Sequence, residues 1–439
     1  MCGIAGILGG QARAPELVRA MTAAMVHRGP DAAGFFDDTC VALGMRRLAI
    51  VDVAAGNQPQ SNEAGTVWIV FNGEIYNHAD LRAQLQKHGH VFRTASDTEV
   101  IVHGYEQWGI DGCLERLWGM FAFLLWDAAR RELFAARDRL GIKPLYYMRA
   151  NGQWRFASEV KALLACPDAP RAVNTDAIGL YLLHQYVPAP ATFFAGVRKV
   201  LPGHYLKFDA AGTMTQRPFW RLSFDPSGTP PSFPDAAAEV RERVTEAVRL
   251  RLMSEVPLGC LLSGGLDSAV VATTMARLSN QPIRTFTVGF PEVPGIDERP
   301  YARLVAEHCH AAHTELEVSL DATALLDRAV YHLDEPLADA AALPTLAICE
   351  AAREHVTVLL TGEGSDELFA GYPRYALSRA ADALQRIPPQ ARGTALQALG
   401  ALVPEGRARN ALGRLARDPG DALARNALWT GVFTPTDVA

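Results

Sequence analysis

The sequence predicts two α/β units in one chain, a layered sandwich followed by a doubly wound parallel sheet. Three observations lead to this prediction. Over about the first 200 residues, short strand patterns and helical patterns mix irregularly, which favours a layered sandwich. From Asp235 onward, strands and helices alternate regularly, as they do around a parallel sheet. The chain of 439 residues is also longer than a single hydrophobic core usually supports.

The N-terminal unit is predicted from the periodicity of its apolar residues. Strand patterns, with alternating or continuous apolar residues, cover residues 3–8, 41–50, 66–71, 121–126, 132–137, 145–148 and 154–157. Helical patterns cover residues 15–26, 79–88, 98–108, 159–164 and 175–183, and a further short strand is expected near 203–209. We expect this unit to span residues 1–220.

A proline-rich stretch separates the two units. Residues 221–234 combine prolines with small polar residues, which is the composition of a linker. Residues 235–439 are expected to form the second unit. Its predicted strands cover 256–262, 284–290, 313–318 and 356–360, its predicted helices cover 236–253, 299–309, 321–332 and 344–355, and helices dominate again after Tyr372. Ligands of such sheets bind beyond the carboxyl ends of the strands.

The overall composition is that of an ordinary soluble protein, with 49% hydrophobic and 21% charged residues. A net charge of −6 gives no reason to expect a nucleic acid or an anionic membrane as partner. No apolar run approaches the ~20 residues of a transmembrane helix, and the N-terminus lacks the basic segment of a signal peptide. The seven cysteines are scattered without a Cys-x-x-Cys pair, which favours reduced thiols. We therefore expect a cytoplasmic location.

A glycine turn between a strand and a helix is the strongest local signal. The apolar run 256–262 ends at Ser-Gly-Gly (263–265), and a helical pattern follows at once. Glycines let the backbone approach a bulky anion, and a helix N-terminus offers free N–H groups. Asp267 fits beside a phosphate if a divalent cation bridges the two, and Ser268 adds a hydroxyl donor. The alternative is an ordinary turn whose glycines serve only sterics; we favour phosphate binding.

A second loop with similar features follows the last predicted strand. Residues 361–367 contain two glycines and three acidic side chains. Helix capping explains Asp366 and Glu367, because acidic groups favour the first turn of a helix. Capping does not explain Glu363, which precedes that helix. If this loop faces the 263–268 loop, Asp267 and Asp366 are positioned to share one Mg²⁺.

The N-terminus carries a different signal. Removal of Met1 would make Cys2 the first residue, with a thiol and a free α-amine on the same residue. The amine is then a general base within reach of the thiol, which is the arrangement of an N-terminal nucleophile. With Met1 retained, this nitrogen is an amide and the activity is expected to be lost. A cysteine at position 2 without any catalytic role is the alternative.

Polar residues also lie beside strands that are predicted to be buried. Arg47 offers a cation for a carboxylate, and Asp97 offers an acceptor for an ammonium group. The Asn72 side chain and the Gly73 N–H offer donors for an oxyanion. Each has an ordinary explanation by itself, since Asn-Gly is a common turn pair and Asp97 fits a helix N-cap. Taken together, they offer complementary groups for a carboxylate, an ammonium group and an oxyanion.

The order of the motifs resembles a known pair of domains. Met-Cys-Gly-Ile-Ala-Gly, His-Arg-Gly-Pro-Asp, Arg-Leu-Ala-Ile-Val-Asp, Phe-Asn-Gly-Glu-Ile-Tyr-Asn, Ser-Asp-Thr-Glu, Arg-Asp-Arg-Leu-Gly-Ile-Lys-Pro-Leu-Tyr-Tyr and Ser-Glu-Val-Lys-Ala-Leu run through residues 1–163. This series resembles class II glutamine amidotransferases. Ser-Gly-Gly-Leu-Asp-Ser and Thr-Gly-Glu-Gly-Ser-Asp-Glu-Leu-Phe-Ala-Gly-Tyr resemble the synthetase half of glutamine-hydrolysing asparagine synthetases.

The first resemblance implies an αββα Ntn-hydrolase domain that hydrolyses glutamine. By analogy with the family, Cys2 attacks the side-chain amide, with Asn72 and Gly73 as the oxyanion hole. The residues implied to bind glutamine are Arg47, Ile50, Val51, Asn72, Glu74 and Asp97. Arg47 would pair with the substrate carboxylate, and Glu74 and Asp97 would take the ammonium group. The released ammonia would pass internally to the second domain.

The second resemblance implies an adenine nucleotide-binding domain that activates aspartate as β-aspartyl-AMP. The residues implied to bind ATP are Leu261, Ser263, Gly264, Gly265, Asp267, Ser268, Val288, Thr361 and Gly362. Mg²⁺ would be held by Asp267 and Asp366, and Glu363 would help to form the intermediate and accept a proton from ammonia. The implied partners are small molecules (glutamine, ATP, and aspartate or another carboxylate), with a homodimer as one candidate assembly and neither nucleic acid nor membrane.

Two departures from the family pattern keep other functions open. Family synthetase domains continue beyond the length available here, so we expect a C-terminally shortened chain that lacks a phosphate-contacting lysine. Asp339 is followed by three alanines in a segment where relatives often carry hydroxyl or basic side chains. The alternatives are an amidotransferase for another carboxylate, or an incomplete enzyme that keeps only glutaminase or binding function. Cys2 argues against β-lactam synthetases, which lack this nucleophile.

Overall fold

Two six-stranded antiparallel sheets stack face to face in the N-terminal half of the protein. The computed structural model describes residues 1–9, 13–224, 228–290, 297–318, 321–421, 424–426 and 429. The first sheet has the strand order β10-β8-β9-β1-β3-β2, and the second has the order β12-β11-β7-β6-β5-β4. The strands are β1 (Gly3–Leu8), β2 (Ala32–Asp37), β3 (Val41–Arg47), β4 (Gln60–Ser61), β5 (Val67–Ile75), β6 (Gly119–Asp127), β7 (Glu132–Arg137), β8 (Tyr146–Ala150), β9 (Gln153–Ala157), β10 (Val197–Lys199), β11 (His204–Phe208) and β12 (Met214–Pro218).

Helices cover both outer faces of this pair of sheets. They are α1 (Ala14–Ala23), α2 (His78–Lys87), α3 (Glu99–Arg116), α4 (Val160–Leu164) and α5 (Thr175–His184). Side chains alternate along each strand, so Ile4 and Val70 meet between the sheets. Their neighbours point outward, Ala5 toward α1 and α4 and Phe71 toward α2 and α3. The result is four layers, αββα, as predicted.

The second half of the protein contains a four-stranded parallel sheet. Its strands are β13 (Leu258–Leu261), β14 (Arg284–Gly289), β15 (Ala312–Glu317) and β16 (Val358–Leu360), in the spatial order β15-β14-β13-β16. Its helices are α6 (Phe233–Arg251), α7 (Leu266–Leu278), α8 (Arg299–His308), α9 (Ala322–Leu333) and α10 (Ala342–Arg353), followed by α11 (Ser365–Phe369), α12 (Pro373–Leu384), α13 (Pro389–Leu402) and α14 (Arg407–Ala416).

The chain winds outward from β13 in both directions. It proceeds through β14 to β15, and then returns past β13 to add β16 at the opposite side. One apolar cluster, which includes Cys260, Ala272 and Ala302, packs α7 and α8 against the sheet. Another, which includes Val318 and Ala347, packs α10 against it. The predicted doubly wound fold is confirmed, and its topological switch point lies between β13 and β16.

Charged contacts join the two halves of the protein. Glu255, just before β13, accepts hydrogen bonds from the N–H groups of Asp52 and Val53 at 2.9 and 3.0 Å. Its own N–H donates to the Ile50 carbonyl at 2.9 Å. At a second point of contact, Lys161 and Asp334 form an ion pair of 2.8 Å. The region of glutamine-site residues is therefore attached directly to the start of the second sheet.

The expected linker is only partly described. Residues 225–227 lie outside the described part of the chain, as do the predicted second domain's residues 291–296, 319–320, 422–423, 427–428 and 430–439. Helix α6 begins at Phe233, where the Ser232 hydroxyl accepts a hydrogen bond from the Asp235 N–H. Among the helices that the structure describes, none combines the length and hydrophobicity needed to cross a membrane.

Candidate active site

A cavity of about 340 Å³ opens beside Cys2. It lies where the start of β1, the end of β3 and the middle of β5 converge. The lining residues come from both halves of the chain: Met1, Cys2, Arg47, Leu48, Ile50, Val51, Gly56, Gln58, Phe71, Asn72, Gly73, Glu74, Ser96, Asp97, Thr98, Met120, Lys143, Thr357, Val358 and Leu359. The structure thus brings together every residue that the sequence predicted for glutamine. It also adds a wall from β16 that the sequence did not indicate.

Cys2 carries a buried thiol whose Sγ lies 3.7 Å from the Leu48 carbonyl oxygen. Burial raises the pKa of this thiol above its ordinary value, so it needs a base to become a nucleophile at neutral pH. Burial lowers the pKa of the adjacent Met1 α-amine to about 5. The Met1 amine is therefore neutral at physiological pH, so its lone pair is not occupied by a proton.

Asn72 presents an unpaired amide to the cavity. The side chain is 1% exposed, and neither its Nδ2 nor its Oδ1 has a hydrogen-bond partner among the described residues. Burying an amide without a partner costs about 1–3 kcal/mol, so a ligand that accepts from it gains from the existing geometry. Gly73 follows on the same strand, where an added Cβ would lie 2.2 Å from the Met120 carbonyl oxygen. Only glycine allows β5 and β6 to approach this closely.

Two acidic side chains share the opposite part of the cavity. Burial raises the pKa of Asp97 to about 6, although its Oδ2 accepts a hydrogen bond of 2.8 Å from the Ile75 N–H. Burial first and the Asp97 charge second raise the pKa of Glu74 well above its ordinary value. Two acids that share one desolvated space cannot both ionise easily, so the pair holds a proton to higher pH than an isolated acid does, unless a cation joins it. The pair is suited to an ammonium ligand.

Arg47 lies in the cavity wall and also organises it. Its guanidinium donates to the carbonyl oxygens of Val51 and Asp52 at 3.2 and 2.6 Å. It donates further to Val53 and to the Asn57 side chain. The predicted strand 41–50 therefore ends early, at Arg47, because these bonds fold the following segment back around the side chain. This placement puts one positive charge and the residues Ile50 and Val51 at the cavity.

Three charged residues near Cys2 had no role assigned from the sequence. Arg28 donates from Nε to the Cys2 carbonyl oxygen at 2.9 Å and from NH1 to Glu159 at 3.0 Å. Lys143 lies in the cavity wall with Nζ 3.0 Å from the Met1 sulfur, and burial lowers its pKa. All three belong to motifs quoted above, His-Arg-Gly-Pro-Asp, Ser-Glu-Val-Lys and Gly-Ile-Lys-Pro. Their place in these motifs was the available signal.

The Ser-Gly-Gly turn occupies the end of β13, as predicted. Gly264 has a φ of +77°, and an added Cβ would lie 2.7 Å from the Tyr301 side chain. Ser263 and Ser268 close the turn, because their hydroxyl oxygens lie 3.0 Å apart and the Ser263 N–H donates to the Ser268 hydroxyl at 3.1 Å. Within the described residues, no side chain caps the N-terminus of α7. The first turn of α7 therefore begins at the carboxyl end of β13 without a side-chain cap for its N–H groups among these residues.

The second loop lies against the first one. An added Cβ on Gly362 would approach the Ser268 nitrogen to 2.7 Å and the Asp267 Cβ to 2.8 Å. The backbone of this loop therefore touches the first turn of α7. Thr361 is exposed beside it and accepts a hydrogen bond of 3.3 Å from the Glu363 N–H, and the Glu363 side chain is also exposed.

The other residues predicted for the nucleotide lie around the same end of the sheet. Leu261 ends β13, and Val288 lies near the end of β14. Asp267 is in the first turn of α7, and Asp366 is in the first turn of α11, which follows β16. Two carboxylates on neighbouring loops beside an uncapped helix end suit a Mg²⁺–phosphate group, because Mg²⁺ takes carboxylate and phosphate oxygens.

The fold and the two sites define a two-domain protein of the glutamine amidotransferase class. A family model described as a glutamine amidotransferase domain matches residues 1–220, and one described as asparagine synthase matches residues 239–431. The chain belongs to the family of glutamine-hydrolysing asparagine synthetases. The resemblance inferred from the motifs is confirmed.

Named relatives share this arrangement over most of the chain. Asparagine synthetase [glutamine-hydrolyzing] 1 of Bacillus subtilis is 39% identical over 92% of this chain and 64% of its own length. A putative asparagine synthetase of Methanocaldococcus jannaschii is 32% identical over 88% of this chain and 79% of its own length. Amidase chyE of Penicillium rubens is 37% identical over 85% of this chain and 60% of its own length. The chain thus spans less than two thirds of the Bacillus and Penicillium proteins.

Proposed function

We propose that this protein transfers nitrogen from glutamine to an ATP-activated carboxylate, with aspartate as the acceptor and asparagine as the product. One observation supports the coupling of two reactions most directly. The cavity beside Cys2 is walled by Thr357, Val358 and Leu359, and the strand they enter ends at the loop that touches the first turn of α7. We propose that ammonia released in the cavity moves along this wall toward the second domain. This matters because free ammonia is mostly protonated at neutral pH and is then not a nucleophile.

The first half-reaction uses the residues around Cys2. After removal of Met1, the Cys2 amine takes the thiol proton, and the sulfur attacks the amide carbon of glutamine. The carbonyl oxygen becomes an oxyanion that accepts from the Asn72 side chain and the Gly73 N–H. Collapse of this intermediate breaks the C–N bond, and the leaving ammonia takes the proton back. Water then cleaves the thioester to give glutamate.

Substrate orientation in this cavity follows from charge. Arg47 attracts the α-carboxylate, while Glu74 and Asp97 attract the α-ammonium. The raised pKa values of the two acids support this role, because an ammonium ligand replaces the proton that the empty pair retains.

The second half-reaction uses the two loops at the switch point. We assign ATP phosphates to the Ser263–Ser268 turn and the nucleoside to the surroundings of Leu261, Val288 and Gly362. Asp267 and Asp366 would hold Mg²⁺, which neutralises phosphate charge. The acceptor carboxylate attacks the α-phosphorus and expels pyrophosphate, and ammonia then displaces AMP from the acyl carbon. Glu363, exposed on the same loop, is our candidate for taking the proton that ammonia loses.

A different acceptor is the second candidate. The three alanines after Asp339 provide no charged or hydroxyl side chain for the aspartate backbone, and α10 starts within them at Ala342. The similarity to the Penicillium protein named amidase shows that not every relative that matches most of this chain carries the name asparagine synthetase.

We place the first domain at residues 1–220, the linker at 221–234 and the second domain at 235–439. The two family-model matches and the start of α6 at Phe233 support this division. The cytoplasmic location and the homodimer stay predictions, which fractionation and light scattering would check.

ATP–pyrophosphate exchange tests the proposal. The full chain is supplied with ATP, Mg²⁺ and one carboxylic acid at a time, and we expect exchange that depends on aspartate. Exchange with a different acid would establish the second candidate, and none with any acid would contradict the synthetase function. Cys2→Ala is the matched control, since it should leave exchange intact and abolish glutamine hydrolysis.

A further inference from the structure

A second polar cluster lies on the outer side of the N-terminal domain, among residues that the proposed reaction does not use. Four side chains, Glu63, His90, His103 and Glu106, place one potential ligand atom each within 4.8 Å of all the others. They come from three separate segments: the turn before β5, the segment after α2, and one face of α3. We propose that this cluster is a structural site for a single Zn²⁺ ion.

The buried histidine provides the strongest argument. His103 is fully buried, and its Nδ1 has no hydrogen-bond partner among the described residues. That nitrogen lies 3.5 Å from Glu63 Oε2 and 3.5 Å from Glu106 Oε2. A lone pair that faces two carboxylates in a buried position is repelled by both, unless a cation lies between them. The position therefore calls for a proton or a metal ion.

The spacing favours the metal ion. In a tetrahedral site with bonds of about 2.0–2.2 Å to nitrogen and oxygen, neighbouring ligand atoms are about 3.3 Å apart. The separations of 3.5 Å from His103 Nδ1 to the Oε2 atoms of Glu63 and Glu106 fit this value. These distances are too long for hydrogen bonds of ordinary strength. Two imidazoles and two carboxylates form a ligand set suited to Zn²⁺, whose two positive charges balance the two glutamates.

Each ligand is also oriented by a second group. The remote nitrogens of the histidines face acceptors, His103 Nε2 at 3.4 Å from Glu99 Oε1 and His90 Nε2 at 3.3 Å from Gln107 Oε1. Such outer acceptors fix the tautomer of a metal-binding histidine, leaving Nδ1 unprotonated for the metal.

The two glutamates are held in the same way. The Glu106 Oε1 accepts from the buried Asn62 amide at 2.7 Å, and the Glu63 Oε1 accepts from the Val91 N–H at 2.8 Å. One oxygen of each carboxylate is thereby occupied, while the Oε2 atoms face His103.

The position of the cluster indicates what the ion does. It would join α3 to the turn before β5 and to the segment after α2. The acceptor Glu99 also binds the N–H groups of Arg93 and Thr94 at 2.8 and 2.9 Å. These residues precede Asp97, which lines the glutamine cavity. Zn²⁺ here would stabilise the fold beneath that cavity without taking part in the reaction.

Metal titration of the full chain, without an affinity tag and after treatment with a chelator, tests the proposal. We expect one Zn²⁺ per chain in competition with a chromophoric zinc chelator, visible bands of tetrahedral Co²⁺ when Co²⁺ replaces it, and a higher melting temperature with Zn²⁺. Glu63→Gln combined with Glu106→Gln should abolish all three responses. Both side chains are partly exposed, so this variant is expected to fold.

Two further variants complete the test. Gln107→Ala removes only the acceptor of His90 and should weaken Zn²⁺ binding about 10-fold. Exposed neighbours offer the control, His88→Gln with Glu115→Gln, which should bind Zn²⁺ like the wild type. No saturable Zn²⁺ binding in the wild type, or equal binding in the Glu63/Glu106 variant, would overturn the proposal and leave a proton on His103 as the cation of this cluster.

Discussion

At the scale of a single residue, the buried carboxyl of Asp97 lowers the stability of the fold but serves the proposed glutamine site. It is buried, and burial raises its pKa to about 6, so the folded protein binds a proton there more readily than the unfolded chain does. Above pH 6 the ionised group therefore lowers the free energy of unfolding. We expect Asp97→Asn to raise it by about 1–3 kcal/mol at pH 7 while abolishing glutamine hydrolysis.

Chemical denaturation at several pH values measures this effect. The advantage of Asp97→Asn should be largest at pH 7 and above, and it should shrink as the pH falls from 6 toward 4, where the wild-type group is protonated. Asp37→Asn, at an exposed position, is the control and should change little. A variant less stable than the wild type at pH 7 would contradict the argument.

The same residue makes glutamine binding depend on pH. The ammonium of glutamine is attracted by an ionised Asp97, and protonation removes that charge. Since the pKa of Asp97 is about 6, the KM for glutamine should rise as the pH falls through this value. Steady-state glutaminase assays between pH 5 and 8 are the measurement, and a KM independent of pH would count against this role.

Asn72 is predicted to act on the rate and not on binding. An oxyanion forms only during the reaction, so Asn72→Ala should lower kcat for glutamine about 10²–10³-fold and leave KM nearly unchanged. Its amide has no partner among the described residues, so the substitution should not reduce stability much. Glutaminase kinetics together with a melting curve separate these effects, and a KM effect alone would assign Asn72 to binding.

At the scale of elements, the periodicity of apolar residues predicted the buried strands best. Strands β1 and β7 have the predicted bounds, because both are buried and regular. Strand β2 was missed, because its half-exposed sequence Ala-Ala-Gly-Phe-Phe-Asp has no clear alternation. Helix α3 continues to Arg116 instead of ending at residue 108, with a break at Gly109, whose φ is +69°. The apolar pattern stops at Gly109, so it does not predict the helical segment that continues beyond this glycine.

The contact between the two nucleotide loops leads to a prediction at this scale. Gly362→Ala places a Cβ within 2.8 Å of Asp267 and Ser268, so β16 and α7 must move apart. We expect a loss of about 1–3 kcal/mol in the free energy of unfolding and a fall in ATP–pyrophosphate exchange that exceeds any change in glutaminase activity. The control is Gly413→Ala in α14, where the nearest atom lies 3.8 Å away. Equal behaviour of the two variants would show that the loops tolerate separation.

At the scale of the whole molecule, Glu255 attaches the second domain to the wall of the glutamine cavity. Its carboxylate accepts from Asp52 and Val53, the segment that Arg47 holds from the other side. Glu255→Ala leaves these N–H groups without their partner and should raise the KM for glutamine several-fold. It should also separate the thermal unfolding of the two domains. Glu246→Ala, on the exposed face of α6, provides the comparison for both measurements. An unchanged KM in Glu255→Ala would show that the cavity does not depend on this contact.

How much of the cavity could be predicted depends on how close its residues lie to one another in the sequence. Asn72, Gly73 and Glu74 are consecutive, and Arg47 and Asp97 each lie in a recognisable motif, so a short stretch of sequence indicates each of them. Thr357–Leu359 lie at least 260 residues beyond these and show only the apolar pattern of a buried strand. Their place in the cavity depends on how two domains dock, and no local pattern encodes that.

The cavity wall formed by Thr357, Val358 and Leu359 has a consequence for domain fusions made with this protein. Because the two domains are proposed to carry out separate reactions, one would expect residues 1–220 to work when fused to any other ATP-using domain. In such a fusion, however, the cavity wall that β16 provides would be replaced. The acceptor of the Asp52 and Val53 N–H groups, which is Glu255 here, would also be replaced. We therefore expect a working chimera to need β16 and Glu255 together with the first domain.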